Sequence, residues 1–327
     1  MSSSSAIAAL VLGAAFGYVA QRGAFCMNSG MRSATLGDWT KLKALALAVA
    51  VQLVLLPALF ASGLVHSSGL PLAPLAAVAG GLLFGVSMRW AGGCAAGAWY
   101  KLGAGDPGAL LAVLGMALGA AASESGPVGG VRRSLQAALP AAAPGSPSPA
   151  VSVVAGLVLL AVLARLADGR AGAWSWRTTG LWVGLAATIA WPVSAIAGRD
   201  FGLAVVPGTS GLLSGVTGRP FPAWDAVLVL GVPVGGWLAA RRRGPVRLGT
   251  PEAGALLKRF AGGLGLGIGA SIAGGCTVGQ GLTGLGLLAP SGFVVLAAIF
   301  GGSTLATFLA RRLEAGSGPI VSSSPSH

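Results

Sequence analysis

Nine apolar stretches, near residues 6–20, 43–64, 72–90, 108–123, 148–166, 178–197, 224–240, 257–273 and 290–310, run through this chain of 327 residues. Each is long enough to cross all or most of a hydrocarbon core ~30 Å thick as a helix, which takes about 20 residues, whereas a spanning strand takes about ten. Within hydrocarbon every backbone N–H and C=O must find a partner in the protein, so continuous apolar segments of this length fold as helices. The expected fold is an all-α polytopic membrane protein with about nine transmembrane helices plus broken or re-entrant half-helices, where the spans ending near Arg89 and Ala273 run into Gly-Gly-Cys sequences.

Composition agrees with that reading. Only 9% of the residues are charged, 54% are hydrophobic, and the mean hydropathy is +0.80. A soluble domain carries about 25% charged residues, so this chain has too little polar surface for a water-soluble fold. The net charge of +13 does not imply nucleic acid, because Lys and Arg stand singly or in short clusters between apolar runs, where they set orientation in a bilayer. They concentrate in 21–43 (Arg22, Arg32, Lys41, Lys43), 165–177 (Arg165, Arg170, Arg177), 241–259 (Arg241, Arg242, Arg243, Arg247, Lys258, Arg259) and at Arg311 and Arg312. Nine crossings put these four groups on one side; Arg132, Arg133, Arg199 and Arg219 are the exceptions. The expected topology has the N-terminus outside and the C-terminus cytoplasmic. No basic residue precedes the first apolar run, which reads as a spanning helix rather than a cleaved signal peptide.

Ala-Gly-Gly-Cys-x-x-Gly occurs twice, at 91–97 and 273–279. Applied loosely, the offset between Cys94 and Cys276 pairs spans one to four with spans six to nine and leaves the fifth as a connector. That 4+1+4 arrangement makes the halves antiparallel, the inverted repeat of many transporters, whose sites lie where broken helices meet. The expected organisation is a first membrane repeat over 1–133, a Pro-rich connection plus linking helix over 134–177, a second, inverted repeat over 178–312, and a disordered C-terminal tail over 313–327.

The chemistry centres on three cysteines, Cys26, Cys94 and Cys276. Gly92-Gly93 and Gly274-Gly275 place the last two directly after residues without side chains, where the chain can turn sharply and backbone N–H groups can face a ligand. A helix starting after each turn attracts anions to its N-terminus. A thiol is a weak donor and a weak acceptor, suited to a soft sulfur atom held loosely enough to move on. A buried cysteine is also an ordinary small hydrophobe; the repeated Gly-Gly-Cys setting favours function for Cys94 and Cys276. Thr277 and Gln280 stand ready to line the path. Asp106, Asp200 and Asp225, at span boundaries, read as loop or capping residues, and Arg89 and Lys101 as interfacial cations. No Ser/His/Asp set, phosphate loop or carboxylate pair is present, and no metal or cofactor is expected.

At Phe25-Cys-Met-Asn-Ser-Gly30, Ala91-Gly-Gly-Cys-Ala-Ala-Gly97 and Ala273-Gly-Gly-Cys-Thr-Val-Gly-Gln-Gly281 the chain resembles the YeeE/YedE family of bacterial sulfur transporters, over about residues 6 to 312. The resemblance implies a pseudo-symmetric protein of the inner membrane, pinched in the middle, that is not an enzyme. Thiosulfate would pass through its constriction along Cys26, Cys94 and Cys276 by S–H hydrogen bonds. It also implies a small TusA-like cytoplasmic sulfur carrier as partner, on a separate chain. The expected order is Cys94 on the outer side, Cys276 near the constriction and Cys26 toward the cytoplasm. The alternatives are a membrane thiol enzyme passing sulfane sulfur through a Cys persulfide, a carrier of selenium species, and a soft-metal transporter.

Overall fold

The computed structural model describes residues 2–67, 69–139, 148–216, 223–242, 244 and 252–316. Thirteen α-helices and one π-helix make up the regular structure of these residues: α1 Ser3–Arg22, α2 Met27–Ala34, α3 Thr40–Ala61, α4 Pro74–Ala91, α5 Ala95–Gly103, α6 Pro107–Glu124, α7 Gly129–Ala137, α8 Pro149–Ala164, α9 Trp176–Ala195, α10 Val206–Val216, α11 Ala223–Arg241, α12 Ala253–Ala273, the π-helix Gly279–Gly284 and α13 Pro290–Gly316. All nine apolar stretches are helical. Among the described residues, six helical segments are long and apolar enough to cross a membrane, and Pro149–Ala164 is a shorter apolar helix. The protein is a multi-pass membrane protein.

Helix starts follow local chemistry. Ser2, Asp106, Ser148 and Ser175 accept hydrogen bonds from first-turn N–H groups of α1, α6, α8 and α9, and Pro opens α4, α6 and α8 at a position that has no N–H to satisfy. The exterior is apolar: Val151, Val154, Leu157, Val158 and Val162 of α8 are exposed, as lipid contact requires. Of the expected tail over 313–327, residues 313–316 belong to α13, and residues 317–327 lie outside the described set. The Pro-rich connection is helical at its start, up to Ala137 in α7, and its residues 140–147 also lie outside that set.

Glycine seams set the directions of the long helices. A methyl on Gly13 or Gly17 of α1 would collide with the carbonyls of Leu228 and Val232, while Gly231 and Gly235 of α11 press on Leu10 and Ala14, so α1 and α11 run parallel. The same reading makes α3 parallel to α9 (Gly180 on Ala44, Gly184 on Ala48), α4 to α13 (Gly81 on Val295, Gly85 on Ile299) and α6 to α12 (Gly115 on Phe260, Gly119 on Leu264). The pair α4 and α12 is antiparallel: Gly262 lies on Ala91 and Gly80 on Ala273. At 1.5 Å per residue the last turns of α4 and α12 are therefore about 16 Å apart along their common axis.

Candidate functional site

Both Gly-Gly-Cys turns end a long helix in the left-handed region. Gly92, at φ 71°, closes α4 and Gly274, at φ 74°, closes α12; Gly275 follows at φ 155°. A side chain is strained at these angles. After the first turn Cys94 becomes the N-cap of α5 in extended conformation, and after α1 Cys26 becomes the N-cap of α2 in the same way. All three thiols are free and buried, Cys26 at 4% and Cys94 and Cys276 at 1% exposure.

Cys26 and Cys94 stand side by side. A Cβ added to Gly97 would lie 3.1 Å from the Cys26 sulfur, 3.4 Å from the Cys94 sulfur and 3.9 Å from the Tyr100 hydroxyl, so the absent side chain of Gly97 makes room for all three. The N–H groups of Ser29 and Cys94 are turned toward the Cys26 sulfur, and those of Gly97 and Met27 toward the Cys94 sulfur. Two helix N-termini thus converge on one pair of sulfurs. Lys101 adds a cation close to Cys26 and donates to the Gly92 carbonyl at 2.6 Å. Behind the turn, the Arg259 guanidinium fills the place a Gly92 side chain would take, donates to Ala91 O at 3.1 Å and pairs with Asp106 at 3.5 Å.

The contact between Cys26 and Cys94 overturns the expected order of the three thiols. Cys276 cannot lie between two sulfurs that adjoin; it follows the far end of the antiparallel α4/α12 pair. The reason is the dive of α2. Its chain reverses at Ala24, φ 48°, and lays the N-terminus of α2 against that of α5.

The second turn is emptier. Gln280 braces it, donating its side-chain amide to Gly274 O at 2.9 Å and its backbone N–H to Cys276 O at 2.8 Å. Thr277 Oγ1 and Gln280 Oε1 are buried without a hydrogen-bond partner. Gly279, the counterpart of Gly97, is buried, yet a Cβ there would meet no heavy atom within 4 Å. Ahead of α10, Leu203, Ala204 and Val205 are buried, and Leu203 O accepts from Thr283 Oγ1 at 2.9 Å. Gln52, buried in α3, donates to Leu282 O of the π-helix at 3.0 Å.

Sequence reasoning assigned Asp106 correctly: it caps α6 through Gly108 N and Ala109 N. Asp225 is instead buried in an ion pair with Arg199, 2.8 Å apart. Arg199 also donates to the carbonyls of Phe201 and Gly202 at 2.8 Å and lies over the rings of Phe201 and Trp224. Tyr100, Gln52, Arg199 and Arg259 carried no motif; only a single polar residue within an apolar run marked Gln52.

Known proteins resemble this chain in sequence over most of its length. The family described as Sulphur transport matches residues 22–305. A protein of Escherichia coli (strain K12) named Thiosulfate transporter TsuA is 31% identical over 93% of this chain and 94% of its own. One of the same name from Spirochaeta thermophila is 33% identical, over 93% of this chain and 98% of its own.

Proposed function

Because the chain belongs to the sulphur-transport family, we propose that it imports thiosulfate across a bacterial inner membrane, handing the ion between thiols that it does not consume. The observation that carries this reading is the placement of all three buried thiols at glycine-bounded turns, two of them where helix N-termini converge. A dianion is expensive in a bilayer. Helix N-termini and loop N–H groups supply most of its stabilisation, and thiols supply soft, weak contacts to its terminal sulfur. Several weak sites conduct where one strong site would trap.

The two halves act as inverted copies, α1 to α6 matching α9 to α13. The antiparallel pairing of the equivalent helices α4 and α12, and the exchange of parallel partners among the others, support this. With the N-terminus outside, α1 and α4 both descend, so the Cys26/Cys94 pair faces the cytoplasm and the Cys276 turn faces outward. The ion then rests first beside Cys276, in the open space next to Gly279. There the Thr277 hydroxyl donates to a sulfonate oxygen and the Gln280 amide holds the Gly274–Gly275 turn in shape. From there it passes to Cys94 and Cys26, framed by Gly92 and Gly93, and leaves to a separate TusA-like carrier.

The test is uptake of sulfur-labelled thiosulfate into cells lacking their own sulfur importers, with sulfate, sulfite and selenite as competitors. Native protein takes up label, Cys276→Ala does not, and sulfate does not compete. Native uptake rates from an equally inserted Cys276→Ala protein would defeat the relay, and competition by selenite alone would move the substrate to selenium.

A further inference from the structure

The thiols divide two and one, and on the inverted-copy reading conduction through the second half proceeds with a single thiol, since buried Leu203, Ala204 and Val205 then stand where the first half has Cys26. The additional sulfur gives the first half a chemical capacity that the second lacks. We propose that Cys26 and Cys94 are a redox pair that oxidises reversibly to a disulfide, and that the disulfide closes the path.

Three features of the site lead there. The sulfurs flank one point above Gly97, at 3.1 and 3.4 Å, with no side chain between them. Each is the N-cap residue of a short helix, with N–H groups of both helices directed at the pair and the Lys101 ammonium near Cys26. The third thiol lies beyond the other end of the α4/α12 pair, so it does not compete for either partner. Glycines on both sides of each cysteine, Gly23 and Gly30, Gly92 and Gly97, leave the two turns free to adjust to the S–S bond length of ~2.05 Å.

The oxidant is a small peroxide able to enter where the ion does. One thiolate attacks hydrogen peroxide, the O–O bond breaks, one water leaves and a sulfenic acid forms. The second thiolate attacks that sulfur, the S–O bond breaks, and a second water leaves as the disulfide forms. Two thiols lose two electrons and two protons, and one peroxide becomes two waters. A cellular dithiol reverses the step by exchange. The disulfide removes both S–H donors and fixes α2 to α5, so an ion coming from Cys276 meets no donor at the cytoplasmic end. This closure rests on the transport reading; the covalent step does not.

The experiment uses the full chain in proteoliposomes, treated with hydrogen peroxide, quenched, blocked with N-ethylmaleimide and digested with trypsin without reduction. Cys26 and Cys94 fall in the short peptides Gly23–Arg32 and Trp90–Lys101. The expected result is these two peptides linked, with Cys276 recovered alkylated, the same link in Cys276→Ser, and at least tenfold loss of thiosulfate uptake that dithiothreitol restores. Recovery of both peptides singly and alkylated overturns the proposal, as does a complete link with unchanged uptake. If untreated protein takes up no thiosulfate, the transport reading fails, and the peptide map alone decides whether the pair forms.

Discussion

A methyl group added at Gly97 and one added at Gly279 should have opposite effects, although both glycines occupy the last position of the same repeated motif. At Gly97 the new carbon would sit 3.1 Å from one sulfur and 3.4 Å from another, so the thiols must give way. Replacing a helical Gly by Ala gains about 0.5–1 kcal/mol, while forcing a methyl into a filled site costs about 1–3 kcal/mol. The net is a loss of roughly 0–2.5 kcal/mol for Gly97→Ala. At Gly279 the methyl meets no atom within 4 Å, so only the gain remains. At roughly 2–4 °C per kcal/mol, Gly97→Ala should melt several degrees lower and Gly279→Ala one to a few degrees higher, read by intrinsic Trp fluorescence in detergent. Uptake by Gly97→Ala should fall about tenfold, the equivalent of ~1.4 kcal/mol on the barrier. Equal shifts of the same sign would refute the asymmetry of the two turns, and native uptake by Gly97→Ala would take the thiol pair out of the path.

Thr277→Val removes a buried hydroxyl that has no protein partner, so its melting temperature should hold or rise. If the hydroxyl donates to the ion, the loss of a charged hydrogen bond worth ~1.5–3 kcal/mol raises KM for thiosulfate at least tenfold, and an unchanged KM removes Thr277 from the site. Asp225→Ala leaves the part-buried Arg199 guanidinium without its carboxylate and should cost at most ~3–5 kcal/mol, with most of that recovered when Arg199 is also replaced by Met; thermal melts of both variants decide this. Gly274→Ala forces a side chain into the left-handed region at φ 74°, at about 1–2 kcal/mol, and should lower both the melting temperature and the uptake, whereas Gly254→Ala, helical and meeting no atom within 4 Å, should hold or slightly raise the melting temperature and leave uptake unchanged.

The long helices were legible because lipid imposes a single rule, and every apolar stretch of sufficient length obeys it. The two Gly-Gly-Cys turns were legible because left-handed backbone at a helix end calls for glycine. Pairing Cys26 with Cys94 was not, since α2 is a short, rather polar segment, MNSGMRSA, whose docking is decided by tertiary contacts, chiefly with α3 and α13, rather than by its own pattern. Asp225 sits in the first turn of an apolar helix, where a residue that serves the helix N-terminus and a buried ion pair look alike until Arg199 folds over it. The directions of the helices also emerged only in three dimensions, because a glycine in sequence does not say which carbonyl it will press against.

Those glycine seams also govern how the molecule can move. Where a Cα rests directly on a neighbouring carbonyl, as Gly235 does on Ala14 and Gly103 on Pro233, neither helix can roll or slide without first parting from the other. The long helices are thereby keyed together like the teeth of a closed zip, and rocking one half against the other would undo many teeth at once. The short helix α5 is keyed to α11 in the same way, by Gly103 on Pro233 and Gly236 on Tyr100, so motion near the thiols is left to the turns, whose excursions of a few ångströms belong to nanoseconds and microseconds rather than milliseconds. Hydrogen exchange should therefore divide the protein sharply, with amides of α1, α4, α11 and α12 slow and those of the turns at Gly92 and Gly274 fast, and the rate of passage should be that of a channel.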